Sequence, residues 1–211
     1  MRSPRNGAPA VTYLALGDSY TIGEGVDAEH RWPMQLAARL RGEGIALADP
    51  CVVATTGWTT DELEAGIDAA RPPERFDFVS LLIGVNNQYR GRPLDEYRAQ
   101  FTALLERAVR FAHGRADRVL VLSIPDWGIT RFGQASGRDP AATARELDAC
   151  NAAAQAVCAA RGVAFVDITG TSRARGAEEA MLAADGLHPS AAMYALWTDA
   201  ALPVARRLLA R

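Results

Sequence analysis

Five short apolar runs recur along this chain, at residues 11–16, 46–54, 76–83, 118–124 and 163–168. Between them lie longer stretches in which apolar residues return every three or four positions, at 32–41, 60–70, 94–113, 140–161 and 190–209. The runs FDFVSLLI and RVLVLSI show no apolar/polar alternation. A strand of that kind has both faces covered, as in a parallel sheet flanked by helices. Strands interleaved with helices therefore predict a doubly wound α/β sheet, a three-layer sandwich with five parallel strands. In such sheets ligands bind beyond the carboxyl ends of the strands. The residues just after each run are thus the ones to search for chemistry.

With 211 residues, 49% of them hydrophobic, the chain has the size and composition of one globular domain. An N-terminal tail at residues 1–10 and a single domain at 11–211 are expected, with no internal repeat or low-complexity linker. The tail carries two arginines but no apolar segment after them, unlike a secretory signal. No stretch approaches the ~18 uninterrupted apolar residues of a membrane span. A formal net charge of −2, without a basic stripe or acidic tail, argues against a nucleic-acid partner. Cys150 and Cys158 fall in one expected helix, roughly 12 Å apart, too far for a disulfide. Free thiols in a reducing cytoplasm are the simpler expectation. Neither Cys-x-x-Cys nor His-x-x-x-His occurs, and no metal site is expected. The oligomeric state is not legible in the sequence.

Nucleophilic hydrolysis needs a hydroxyl, a base, a group that orients the base, and donors for the oxyanion. Ser19 follows the first run, in Gly17-Asp18-Ser19-Tyr20. It is a candidate nucleophile, or else a turn residue capping the next segment. Of the three histidines, His113 closes a helical stretch, where a cation meets the helix dipole, and His30 has nothing nearby to orient it. His188 lies in Asp185-Gly186-Leu187-His188, a spacing at which a turn brings the carboxylate onto one imidazole nitrogen. The alternative is an exposed Asp-Gly turn. Gly57, after the second run, offers a close-approaching N–H, or is a plain loop glycine. Asn86, after the third, offers a side-chain amide, or forms an Asx-turn. Trp58, Tyr89 and Trp127 stand near the same edge and can shape a substrate pocket or pack the loops.

The set Gly17-Asp18-Ser19, Gly57, Gly84-x-Asn86 and Asp185-x-x-His188, in this order, resembles the GDSL or SGNH hydrolases. The resemblance implies a flavodoxin-like α/β/α sandwich with five parallel strands. It further implies Ser19 as nucleophile, His188 as general base, Asp185 as its orienting carboxylate, and an oxyanion hole of Ser19 N–H, Gly57 N–H and the Asn86 amide. The family hydrolyses varied esters without metal or cofactor, so the expected partner is a small-molecule ester. Two departures stand out: Tyr20 where the family name has Leu, and Asn87 where Asp is commoner. The sequence leaves two other functions open. One is acyl transfer by the same triad. The other is a non-catalytic flavodoxin-like module with Gly23-Glu24-Gly25 cradling a phosphate, although no phosphate-loop motif follows the first strand.

Overall fold

The computed structural model describes residues 10–210. All but the last residue of the expected tail lie outside them. The elements run β1 (Tyr13–Gly17), α1 (Ser19–Ile22), α2 (Trp32–Gly42), β2 (Cys51–Ala54), α3 (Thr60–Ala70), β3 (Phe78–Leu82), α4 (Val85–Tyr89), α5 (Leu94–Phe111), β4 (Val119–Leu122), α6 (Arg131–Ala135), α7 (Pro140–Arg161), β5 (Ala164–Val166), α8 (Thr169–Arg175) and α9 (Ala191–Leu209). The sheet is five-stranded in the order β2-β1-β3-β4-β5, and every pairing is parallel.

Burial explains the order. β1, β3 and β4 are buried along their whole lengths, whereas β2 and β5 are only partly buried. The fully apolar runs therefore form the centre, and the more broken ones form the edges. The step from β1 to β2 runs one way across the sheet, and the later steps run the other way. Right-handed crossovers then place α2 on one face and α3, α5 and α7 on the other. The packing agrees: α2 meets α9, α3 meets α5, and α5 meets α7. The direction reverses between β1 and β3, so the crevice of the sheet opens where Ser19 and Asn86 follow their strands.

Several boundaries differ from expectation. In the 46–54 run, Leu47 makes only an isolated bridge with Val11, and the strand begins at Cys51. Asp49-Pro50 intervenes, and proline cannot donate to a ladder. The start of α3 is fixed by a capping box of Thr59 and Glu62. α5 stops at Phe111, so His113 lies beyond the helix at φ 58° rather than in its last turn. The three cysteines are unpaired. No described helix is long and apolar enough to cross a membrane.

Candidate active site

Ser19 is placed by a sharp junction. β1 ends at Gly17, where any Cβ would stand 2.2 Å from Thr21 Oγ1 and 2.5 Å from the Leu82 carbonyl. Only glycine lets α1 fold back so tightly on β1 and β3. Asp18 caps α1, its carboxylate accepting the Tyr20 N–H at 3.0 Å. Ser19 is the first helical residue, so its own N–H lies among those that a helix start leaves without an internal partner. Burial pushes the Asp18 carboxyl up to about 7, and its Oδ2 has no hydrogen-bond partner.

Asn86 stands in α4, directly after β3. Its Nδ2 donates one hydrogen to the Trp58 carbonyl at 2.9 Å, which orients the amide and leaves the second hydrogen for a ligand. Gly57 holds φ 89°, a left-handed conformation that glycine adopts without strain. Its carbonyl accepts from Arg90 Nη2 at 2.6 Å. Two bonds therefore tie the Gly57-Trp58 turn to α4 and to Arg90, the residue that caps its end. The neighbouring Asn87 is buried and grips α3: Oδ1 accepts the Thr60 N–H at 3.1 Å, and Nδ2 donates to Thr60 Oγ1 at 2.7 Å. An amide makes both bonds at once, which gives the departure from the commoner Asp a physical account.

Asp185 and His188 share a tight turn. Asp185 Oδ1 accepts the Leu187 and His188 N–H groups, each at 2.9 Å. Its Oδ2 lies 2.5 Å from His188 Nδ1. Burial pushes the Asp185 carboxyl up, but the His188 ring and the two amides together outweigh it and hold it below the usual carboxylate range. An ionised carboxylate there fixes the proton on Nδ1 and leaves Nε2 as the acceptor.

The two halves meet in one cleft of about 190 Å³, lined by Ser19, Tyr20, Val85, Asn86, Tyr89, Trp127, Phe132, Leu187 and His188. Ser19, Asn86 and His188 bring polar side chains to it, the Tyr20 and Tyr89 rings carry hydroxyls, and Val85, Trp127, Phe132 and Leu187 make the rest of its wall apolar or aromatic. Of the sequence candidates, Ser19, Asn86, His188, Tyr89 and Trp127 line it, and Asp185 stands behind His188. Gly57 does not line it but belongs to the turn that Asn86 holds through the Trp58 carbonyl. Trp58 does not line it either. Its ring lies on Gly66 of α3, where a Cβ would stand 2.1 Å from it. Only its backbone carbonyl serves the site. His30 is exposed, away from the lining. Phe132, Val85 and Leu187 were not anticipated. Tyr20, the departure beside Ser19 that can crowd or line the site, does line it, and its ring meets His188 edge-on at 6.0 Å between centroids. Gly23-Glu24-Gly25 forms no phosphate cradle: the Gly23 and Glu24 N–H groups both donate to the Ser19 carbonyl, and Glu24 accepts from Thr56.

The chain matches the family model described as GDSL-like lipase/acylhydrolase over residues 15–196. No curated protein matches its sequence. The fold is similar to the crystal structure of TesA, with 23% identity over 93% of this chain and 99% of that one, TM-score 0.73. A lipase/acylhydrolase from Enterococcus faecalis is similar at 21% identity, over 95% and 96%, TM-score 0.68. AlinE4, an SGNH-hydrolase family esterase, is similar at 18% identity, over 96% and 98%, TM-score 0.65. Identities this low speak to the fold.

Proposed function

The chain belongs to the GDSL-like lipase/acylhydrolase family, and from that premise we propose that it is a serine esterase acting on small carboxylic esters through an acyl-enzyme. Residues 11–211 form one catalytic domain in this reading. The observation that carries it is the sharing of one cleft by Ser19, Asn86 and a histidine whose Nδ1 is held at 2.5 Å by Asp185.

His188 Nε2 takes the proton of Ser19 Oγ as that oxygen bonds to the ester carbonyl carbon. The carbonyl π pair moves onto its oxygen. The resulting oxyanion receives the Ser19 N–H and the second hydrogen of Asn86 Nδ2, and the Gly57 N–H, which stands outside the cleft lining on the turn tied to Asn86, is the third donor the family resemblance implies. The Asp185 carboxylate steadies the imidazolium. When the tetrahedral intermediate collapses, the C–O bond breaks and the alcohol leaves with the proton from His188. Water then repeats the sequence at the acyl carbon and frees Ser19.

Size and lining limit the acyl group. A cavity of about 150 Å³ lined by apolar side chains accepts a benzene-sized ligand, and this cleft is of that order. A short acyl chain or a single ring fits against Tyr89, Trp127 and Phe132. Hydrolysis is preferred to acyl transfer because the cleft opens to solvent, which supplies water as the acceptor. The unpaired thiols favour a reducing compartment such as the cytoplasm.

A series of p-nitrophenyl esters, from acetate to laurate, tests this. Short esters should turn over best, and Ser19→Ala and His188→Ala should abolish turnover of all of them. Full activity in Ser19→Ala would reject the mechanism, and a preference for laurate would reject the substrate class.

A further inference from the structure

The turn that carries Asp185 and His188 is well bonded within itself. Ala183 N–H donates to the His188 carbonyl at 2.7 Å, and Gly186 N–H donates to the Ala183 carbonyl at 3.0 Å. At its base, Leu182 bridges to Pro189 and Ser190 N–H donates to the Met181 carbonyl. These bonds give the turn a shape. They do not fix its tip against the cleft.

The tip is met by α6. Phe132 N–H donates to the Gly186 carbonyl at 3.0 Å, and Arg131 Nη2 donates to the Ala184 carbonyl at 3.1 Å. The Arg131 guanidinium also covers Gly186 itself. A Cβ on Gly186 would stand 2.5 Å from Nε, 2.9 Å from Nη2 and 3.1 Å from Cζ. Its φ of 70° turns the chain so that the bare face meets the guanidinium.

α6 is a firm support. Thr130 Oγ1 accepts the Gly133 N–H and donates to the Trp127 carbonyl. Trp127 Nε1 donates to Gln88 Oε1 at 2.8 Å, and Gln88 belongs to α4, the helix that carries Asn86. The base turn and the amide of Asn86 are thus referred to one rigid frame. Arg131 itself is exposed and has no carboxylate within 4.0 Å among the described residues, so neither burial nor an ion pair accounts for its placement.

We infer that Arg131 is a positioning residue: by clamping Gly186 it holds the Asp185–His188 turn in register with Ser19. This rests on the reading of His188 as the base. A displacement of about 1 Å at a reacting group can cost ~10²-fold in rate, so a small loosening of the turn suffices to be measured.

The test compares Arg131→Ala, Gly186→Ala, the double variant and His188→Ala on one short p-nitrophenyl ester, with a melting curve for each. Arg131→Ala should lower kcat about tenfold, keep KM within about twofold, and move Tm by no more than about 2 °C, the scale of surface substitutions. In Gly186→Ala the new Cβ displaces the guanidinium and sits on a backbone at φ 70° that alanine adopts only with strain, so kcat falls further than in Arg131→Ala. The double variant should fall no further than Gly186→Ala, which has already broken the contact that Arg131→Ala removes. Wild-type kcat in Arg131→Ala, a raised KM with intact kcat, or additive losses in the double variant would each overturn the inference. His188→Ala separates the two readings. If it retains turnover, the proposed triad fails; if it is inactive while Arg131→Ala is fully active, only the clamp fails.

Discussion

Replacing Asn86 by alanine removes one proposed oxyanion donor and one structural hydrogen bond, and the two losses have different sizes. Deleting a donor from a preorganised oxyanion hole costs about 10²–10³ in kcat, or ~3–4 kcal/mol of transition-state stabilisation. The hydrogen bond from Nδ2 to the Trp58 carbonyl is neutral and half-buried, worth ~1 kcal/mol of stability. In a domain of this size that lowers Tm by about 2–4 °C. Asn86→Ala should therefore be folded at 25 °C and nearly inactive. Its KM should change little, because the second amide hydrogen engages charge that develops only after Ser19 attacks. Steady-state hydrolysis of p-nitrophenyl butyrate, with thermal melting monitored by circular dichroism, measures both quantities. A variant retaining more than about a third of wild-type kcat would refute the donor role. A large fall in Tm would show that the bond to Trp58 is the amide's main task.

Two further outcomes arise from buried polar groups around the site. Asn87 is 1% exposed and satisfies both the N–H and the hydroxyl of Thr60, so Asn87→Ala should cost about 2 kcal/mol and lower Tm by about 4–8 °C; a shift under about 1 °C contradicts that account. Asp18, pushed up to about 7 by burial, binds its proton more tightly folded than unfolded, where a carboxyl titrates near ~3.9. Its stabilising share is complete below the unfolded value and is lost as pH rises to about 7. Asp18→Asn removes that dependence, so its Tm relative to wild type should rise between about pH 4 and pH 8, and a constant difference would count against the buried, proton-holding Asp18.

The long elements are readable because each shows its period several times over. The stretches 60–70 and 140–161 match α3 and α7 end to end. The short ones are not. α1, α4, α6 and α8 have four to seven residues, too few to repeat a 3.6-residue pattern. Without α6, Arg131 and Phe132 stay hidden, because they act through where that turn docks and carry no local signal. The residues Ser19, Asn86, Asp185 and His188 can be picked out because the right chemical groups stand just past strands or in one tight turn, and a parallel sheet gathers such positions. Trp58 shows the limit of that reasoning. Proximity to Gly57 in the chain says nothing of where the ring points, and Gly66 on α3 offers it a flat seat.

The central claim is that Ser19 is the nucleophile, activated by His188. It is tested most directly by treating the protein with diethyl p-nitrophenyl phosphate and mapping the adduct by peptide mass spectrometry. The account predicts a single diethylphosphoryl group on Ser19, none in Ser19→Ala, and far slower modification in His188→Ala. An adduct on another residue, or equal labelling of Ser19→Ala, would contradict it.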